Sequence, residues 1–270
     1  MSSAESQKVP FQHIEYCMGT AFVFQGRSEL ANQEQLGALI SDAALELNTA
    51  DQIFSLYKPE SPLSRLARGE TSVAELDPIV NEVWDACLDW ESLTGGWFSS
   101  FTPQNTFDPS GLVKTWAAQR AANILLDGGV SDFTLNAGGD ILINSGCSER
   151  VDWRIAIHKP TSIASEDAGI LTVFDFWNTE FRALATSGIS ERGQHIWNPK
   201  ASGKQPADSI VQVSVLADDL VAADVWATAA FAEGPNALTR MESIRNLEAI
   251  MVLHDGNLIG TSGITGLLAK

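Results

Sequence analysis

The stretch FTLNAGGDILI at residues 133–143 contains two β-prone runs separated by a pair of glycines. This pattern predicts a strand, a tight turn and a second strand, because Gly138 and Gly139 can adopt the positive φ angles that such turns require. The preceding segment, Leu112–Leu126, is predicted to be a helix that ends at Gly128-Gly129. A helix followed at once by a hairpin indicates a chain that uses both kinds of element.

Elements of both kinds are predicted along the rest of the chain. The predicted helices are Glu29–Phe54, a short helix at the end of Phe54–Leu66, Pro78–Leu93, Leu220–Phe231 and Pro235–Arg245. The predicted strands are Met18–Phe24, Trp153–Ile157, Ile170–Phe176, Ala183–Gly188 and Ile210–Val215, followed by a closing hairpin of Ala249–Leu253 and Asn257–Gly260. Because no repeat or linker interrupts this order, we expect an α+β chain with a flexible tail over residues 1–10 and one domain over residues 11–270.

Composition and charge narrow the possible functions. The chain has 270 residues, with 34 Asp or Glu against 17 Lys or Arg, so the formal net charge is −17. An apolar share of 44% is typical of a folded protein and not of a disordered one. The acidic balance argues against a broad surface for nucleic acid or for anionic membranes, since both require clustered Lys and Arg. A polyanionic ligand would need a metal ion or a few well-placed lysines.

Signals for export or membrane insertion are not evident in the sequence. The first residues show neither the basic nor the apolar segment of a secretory signal. No apolar run approaches the roughly 18 residues that a membrane span requires. Three widely separated cysteines favour free thiols in a reducing compartment: Cys17, Cys87 and Cys147. These observations predict a soluble cytoplasmic protein without membrane insertion.

Two glycine-containing segments have the composition of ligand-binding loops. In Asp108-Pro-Ser-Gly-Leu-Val-Lys114 an acid, a glycine and a lysine crowd the start of a predicted helix, where anions are favoured. A phosphate site and a capped surface helix would both explain this segment. Asn136-Ala-Gly-Gly-Asp140 would allow a ligand to approach the backbone closely, or would form a tight hairpin turn and nothing more.

Two other segments carry side chains suited to a metal ion or to proton transfer. Asp224 and Thr228 are four residues apart in a predicted helix, so they share a helix face. Their oxygen atoms would suit Mg²⁺, and a carboxylate favoured by the helix dipole is the alternative. His195 lies in a loop rich in Gly and Pro after Thr186-Ser-Gly188, where it could titrate in a cleft or be an idle loop residue. The remaining histidines lack a comparable setting: His13, His158 and His254.

Taken in order, these segments resemble the ApbE family, the FAD:protein FMN transferases. The resemblance extends from Met18 to about Gly260. The matching segments are Met18-Gly-Thr20, Ser55–Leu66, Gly95-Gly-Trp-Phe98, Asp108–Lys114, Asn136–Asp140, Thr186-Ser-Gly188, His195–Pro199 with Gly203, and Ala223–Thr228. The resemblance implies a single-domain, T-fold-like α+β architecture of mixed sheets with packed helices.

The resemblance also implies roles for individual residues. The positions that match FAD contacts in the family are Met18, Tyr57, Trp97, Phe98, Ser99, Asp108, Lys114, and His195 or its neighbour Ile196. Magnesium would be held by the backbone carbonyl of Gly111 and by the side chains of Asp224 and Thr228. His195 is a candidate for proton transfer, and together with Asp224 it forms the implied catalytic set.

The implied reaction is Mg²⁺-dependent transfer of FMN from FAD to a Thr or Ser hydroxyl of an acceptor flavoprotein, with release of AMP. Two alternatives stay open at this point: a Mg²⁺-dependent FAD pyrophosphatase that gives FMN and AMP, and a non-catalytic FAD-binding protein. The pyrophosphatase would use the same site with water in place of the acceptor hydroxyl, and the binding protein stays open because the sequence departs from the family pattern. Ser99 replaces an Asp, Thr115 replaces the Gly that follows the lysine, and Ala67 replaces an Asn.

Overall fold

A computed structural model describes residues 8–29, 33–145, 153–160, 169–177, 179–188, 197–201 and 210–269 of the chain. The helices in these ranges are α1 (Gln33–Phe54), α2 (Pro62–Ala67), α3 (Pro78–Leu93), α4 (Ser110–Asp127), α5 (Leu220–Glu233) and α6 (Ala237–Met241). The strands are β1 (Val9–Cys17), β2 (Thr20–Ser28), β3 (Asp132–Ala137), β4 (Asp140–Ser145), β5 (Arg154–His158), β6 (Ile170–Asp175), β7 (Ala183–Gly188), β8 (Ile210–Ala217), β9 (Leu247–Leu253) and β10 (Leu258–Gly260). The predicted α+β class is confirmed.

Eight of these strands form one sheet in the order β1-β2-β3-β4-β7-β8-β9-β10, and β5 pairs with β6 in a separate small sheet. Each strand pairing among the described residues is antiparallel. None of the helices in the described part of the chain combines the length and the apolar character that a membrane crossing needs.

The two faces of the large sheet carry different layers. On one face α5 packs on β7 and β8, α4 packs on β3, and α1 packs on β1, with α4 in contact with both other helices. The opposite face packs against the β5–β6 pair through a second cluster of buried side chains: Ile143, Ile157, Phe174, Leu184, Leu216 and Ile250. Successive residues of a strand point to opposite faces, so β4, β7, β8 and β9 each contribute to both cores.

Helix α5 is buried almost all round because its sequence, LVAADVWATAAFAE, is rich in alanine. Small side chains allow the helix backbone to approach both the sheet and α4 closely. Asp219 caps its first turn by accepting a hydrogen bond from the backbone N–H of Ala222 at 2.8 Å. Asp219 therefore occupies the position at the helix start where the dipole favours a carboxylate. Asp224 lies farther along the helix and is buried, so the dipole does not explain its place.

Two tight turns lie side by side at one end of the large sheet. In the β1–β2 hairpin Cys17 pairs with Thr20, and the two turn residues, Met18 and Gly19, have φ angles of 48° and 70°. In the β3–β4 hairpin the turn consists of Gly138 and Gly139, with φ angles of 64° and 105°. A Cβ atom on Gly138 would collide with the Thr20 hydroxyl, so the close approach of the two turns requires glycine.

Several predicted boundaries are corrected by the structure. Val9 and Pro10, placed in the tail by the sequence, are the first residues of β1; a proline is tolerated there because β1 is an edge strand. The predicted strand over Met18–Phe24 begins only at Thr20, after the turn. The predicted helix over Pro235–Arg245 shrinks to α6, because the chain turns into β9 through Asn246 at a φ of 56°. Helix α3 has the predicted bounds.

Candidate functional site

A cavity of about 450 Å³ opens where the ends of several elements meet. Its walls come from the loop before α4 and the first turns of that helix, the β3–β4 turn, α5, and the ends of β5, β7 and β8. The volume lies within the roughly 300–1,000 Å³ typical of ligand pockets. The wall includes most of the residues that the sequence assigns to the site: Trp97, Phe98, Ser99, Asp108, Gly111, Lys114, Asp224 and Thr228.

Two of the assigned residues that the structure describes do not line this cavity. Tyr57 is 97% exposed and does not line the cavity. Met18 does not line it either, but it lies in the turn before Thr20, which packs against the cavity residue Gly138. His195 and Ile196 lie outside the described residues, as do Gly203 and Cys147.

The partly buried ammonium group of Lys114 lies close to two buried carboxylates on the cavity wall. Lys114 Nζ forms an ion pair with the Asp140 carboxylate and lies 3.5 Å from Asp224 Oδ2. The Asp140 side chain is 4% exposed and the Asp224 side chain is 10% exposed. Asp140 also accepts a hydrogen bond from the backbone N–H of Thr186 at 3.0 Å, which fixes it against β7. One positive and two negative charges leave this cluster with a net negative charge when all three groups are ionised.

The environment of Asp224 favours the neutral form of its carboxyl group more than water does. Burial, reinforced by the nearby Asp140 carboxylate, raises the pKa of Asp224 to about 6. The positive charge of Lys114 and a hydrogen bond from Thr115 act in the opposite direction. The Thr115 hydroxyl donates to Asp224 Oδ2 at 3.0 Å, and it stands where the resemblance leads one to expect a glycine. A carboxylate in this position would be stabilised by additional positive charge.

Thr228 and Gly111 complete the set of oxygen groups assigned to a metal ion. Thr228 lies one helical turn after Asp224 in α5, and its Oγ1 is 3.4 Å from the Ser187 hydroxyl of β7. Gly111 lies in the first turn of α4, where a Cβ atom would lie 3.4 Å from the Phe98 ring. Both residues line the same cavity as Asp224.

The donor chemistry of this set suits a magnesium ion. Mg²⁺ prefers hard oxygen ligands and is usually held by one or two carboxylates together with water and substrate phosphates. The described residues contain no group of three or more His, Cys, Asp or Glu side chains arranged to hold a metal by themselves. Mg²⁺ needs only a few ligands from the protein when water and substrate phosphates supply the others. Asp224, Thr228 and Gly111 can offer one carboxylate, one hydroxyl and one carbonyl, on a cavity wall that has a surplus of negative charge.

The structure shows the capping and turn roles that the sequence gives as alternatives for the two loops, and their phosphate-binding and ligand-binding roles stay predictions. Asp108 Oδ1 accepts a hydrogen bond from the backbone N–H of Ser110 at 3.0 Å, so it satisfies the start of α4 as a capping residue does. Asn136 Oδ1 accepts one from the Gly139 N–H at 2.8 Å within the hairpin turn. Both Asp108 and Asn136 nevertheless line the cavity.

Other cavity residues were not found from the sequence. His158, expected to have no relevant setting, lines the cavity at the end of β5, so that expectation is wrong. Lys159 lines the cavity beside it. Lys200 does not line the cavity itself, but its Nζ lies 4.3 Å from the ring centroid of the cavity residue Trp97. The sequence signal for these residues is weak, because each belongs to a strand end or a loop whose position depends on distant elements.

Comparison with known proteins identifies the family. The model of the ApbE family matches residues 100–251, which is more than half of the 270 residues. The chain belongs to the ApbE family. The matched range contains α4 with the loop before it, the β3–β4 turn, β7 and α5. It therefore includes all three residues of the Lys114–Asp140–Asp224 cluster.

Two curated relatives in this family carry the name FAD:protein FMN transferase. The protein from Escherichia coli K12 is 25% identical over 167 residues, which cover 59% of this chain and 46% of the relative. The protein from Rhodobacter capsulatus is 28% identical over 179 residues, which cover 63% of this chain and 32% of the relative. The chain thus spans less than half the length of the two relatives.

Solved structures show the ApbE fold. The flavin transferase ApbE from Vibrio cholerae superimposes with a TM-score of 0.79 at 18% identity, covering 97% of this chain and 100% of that one. The ApbE protein from Thermotoga maritima gives a TM-score of 0.79 at 17% identity with the same coverage. At these identities the likeness establishes the fold, which agrees with the architecture expected from the resemblance.

Proposed function

We propose that the chain transfers FMN from FAD to a Thr or Ser hydroxyl of an acceptor flavoprotein and releases AMP, in a reaction that depends on Mg²⁺. Membership of the ApbE family and the names of the curated relatives support flavin transfer as the general activity. The observation that carries the proposal is the convergence of Lys114, Asp140, Asp224 and Thr228 on one cavity. This arrangement combines a cation for phosphate oxygens with oxygen ligands for a metal ion.

The phosphate end of FAD would be bound by the start of α4 and by Lys114. The N-terminus of a helix favours anions through the helix dipole, and the Lys114 ammonium adds a full positive charge. Both features are needed locally, since the protein carries a formal net charge of −17. Asp140 would hold Lys114 in place through its ion pair and its hydrogen bond to the Thr186 backbone.

Asp224, Thr228 and the Gly111 carbonyl would hold the magnesium ion. When bound, the ion would supply Lewis-acid stabilisation of negative charge on the phosphate oxygens. The residues of the chain would contribute mainly by positioning the phosphates and by stabilising the charge that develops on them.

The reaction requires one bond to form and one to break at the phosphorus of the FMN half. The acceptor hydroxyl oxygen forms a bond to this phosphorus, and the bond from phosphorus to the bridging oxygen breaks. AMP leaves with the electron pair of that bond, and the hydroxyl proton passes to a base. We assign the role of base to His195, which precedes the cavity residues Trp197 and Pro199 by two and four positions in the sequence.

One incubation distinguishes the proposed transfer from the two alternatives. The protein is mixed with FAD, MgCl₂ and a Thr-containing acceptor peptide, and the products are separated by chromatography with flavin detection and mass spectrometry. A covalent flavin–peptide adduct with one AMP per adduct supports the transferase. Free FMN and AMP without an adduct would show a pyrophosphatase, and unchanged bound FAD would show a binding protein.

Three controls connect the result to the cavity. EDTA in place of MgCl₂ and the Asp224→Ala variant should both abolish the adduct, because each removes part of the metal site. A peptide with Val in place of Thr should give no adduct, because it lacks the attacking hydroxyl. Normal transfer by Asp224→Ala would contradict the metal role. The cytoplasmic location predicted from the sequence stays a prediction.

A further inference from the structure

Thr115 is a fully buried polar residue on the helix that carries Lys114. It has no exposed surface, and its Oγ1 lies 3.0 Å from Asp224 Oδ2 and 3.2 Å from the carbonyl oxygen of Leu112. The contact with Leu112 is the local one that threonine often makes within a helix. The contact with Asp224 joins α4 to α5 across 109 positions of sequence. Only the second contact reaches the cavity wall.

The single hydroxyl proton of Thr115 must serve one of these two acceptors. An ionised carboxylate is the stronger acceptor, and here it is also the nearer one. If the proton pointed at Leu112 instead, the lone pairs of Oγ1 would face the carboxylate oxygen at 3.0 Å, which is repulsive. With Asp224 ionised, the hydroxyl therefore donates to Oδ2.

This hydrogen bond constrains which carboxylate oxygen is available to a ligand. Within the described ranges, the two polar contacts of the Asp224 carboxylate both involve Oδ2, one from Thr115 and one from Lys114 at 3.5 Å. The side chain retains 10% exposure and lines the cavity. Oδ1 has no such partner in this part of the structure, so it is the oxygen left for a cation.

We infer that Thr115 is a positioning residue for the divalent cation: its hydroxyl holds Oδ2 of Asp224 and thereby presents Oδ1 to the cavity. This inference rests on the proposed function, because it assumes that Asp224 is a metal ligand. Removing a group that holds a metal ligand by a hydrogen bond typically lowers metal affinity by about 10–100-fold. Thr115 acts through Asp224 and does not itself contact the cation.

Two variants separate the hydroxyl of Thr115 from its packing. Thr115→Val keeps the shape and removes the donor, whereas Thr115→Ser keeps the donor and removes a methyl group. The affinity of each metal-free protein for Mn²⁺, used as a spectroscopic substitute for Mg²⁺, is measured from the loss of the free-ion electron paramagnetic resonance signal. We expect the dissociation constant to rise roughly 10–100-fold for Thr115→Val and to stay close to that of the unsubstituted protein for Thr115→Ser.

A kinetic measurement gives a second readout. In FMN transfer, Thr115→Val should raise the Mg²⁺ concentration needed for half-maximal rate and leave kcat at saturating Mg²⁺ largely unchanged. Thermal melting in EDTA verifies that each variant is folded, and Thr115→Ala replaces Thr115→Val if the valine variant does not fold. Unchanged Mn²⁺ affinity in the donor-free variant overturns the inference, as does an equal loss in Thr115→Ser, which would point to packing.

The inference and the proposed function fail in different ways. If the unsubstituted protein transfers FMN with Mg²⁺ while Thr115→Val keeps full Mn²⁺ affinity, only the inference is wrong. If the unsubstituted protein binds neither Mn²⁺ nor Mg²⁺, both are wrong.

Discussion

Replacing Asp224 by Asn should make the metal-free protein more stable and insensitive to magnesium. The substitution keeps the shape of the side chain and removes one of the two buried negative charges beside Lys114. It also keeps an acceptor oxygen for the Thr115 hydroxyl. Because the remaining Lys114 and Asp140 charges balance each other, the cluster becomes neutral at every pH near neutrality.

The magnitude follows from the perturbed titration of Asp224. Its pKa is raised from the ordinary value of 3.8 to about 6, chiefly by burial. At about 1.4 kcal/mol per pKa unit, the ionised form destabilises the metal-free fold by about 3 kcal/mol above pH 7. A raised carboxyl pKa means that the folded state holds the proton more tightly, so this penalty is absent below about pH 4 and develops as the pH rises through about 6. An asparagine cannot ionise and does not incur this penalty, so the free energy of unfolding of Asp224→Asn should rise by at most about 3 kcal/mol.

The assay is chemical denaturation at pH 8 and at pH 4, in EDTA and in excess Mg²⁺. At pH 8 in EDTA, Asp224→Asn should be the more stable protein, and at pH 4 the difference should disappear. With Mg²⁺ at 100 times its dissociation constant the unsubstituted protein should gain about 2.7 kcal/mol, whereas the variant should gain nothing. A variant that is less stable than the unsubstituted protein in EDTA at pH 8 would refute the charge argument, and a full response to Mg²⁺ would refute the ligand role.

Four other substitutions test the ion pair, the two adjacent turns and the Met18 position of the β1–β2 turn. Lys114→Met leaves two buried carboxylates without their ammonium group, so we expect the free energy of unfolding to fall by about 3–5 kcal/mol at pH 8 and by less at pH 4. Chemical denaturation measures both values, and an equal loss at the two pH values would show that the charges are not the cause. Gly138→Ala should lower stability by about 1–3 kcal/mol because of its positive φ and the clash with Thr20, and Thr20→Ala should recover part of this loss if the clash contributes. Met18→Asn should change stability little, because asparagine tolerates the left-handed backbone better by about 1 kcal/mol but loses the packing of Met18 on the core, while FAD affinity falls if the predicted contact exists.

Local patterns of the sequence were enough to predict most elements. Helix α3 has the predicted bounds, and the strand–turn–strand of residues 133–143 appears as β3, the Gly138-Gly139 turn and β4. These elements depend on interactions between residues close in sequence: a proline at a helix start, a glycine pair in a turn, and apolar runs on either side. Strand β1 was missed because an edge strand that begins at Val9-Pro10 has little local signal and is stabilised by its pairing with β2.

The sequence by itself determined which residue types belong to the site. The Asp224–Thr228 spacing in a helix, the acid–glycine–lysine order at Asp108–Lys114, and the order of these segments along the chain indicated both the cavity residues and the family. Spacing of this kind is a local property, because an i, i+4 pair shares a face on any helix.

Only the tertiary structure decided how these residues interact. It brought Asp140 of β4 and Asp224 of α5 to the same ammonium group, placed the Thr115 hydroxyl against the second carboxylate, and left Tyr57 exposed outside the cavity. The partners in these contacts are separated by 26 positions of sequence in one case and by 109 in another. The contacts therefore depend on how the helix layer packs on the sheet. The raised pKa of Asp224 arises in the same way, since burial is created by packing and is not a property of the aspartate or its sequence neighbours.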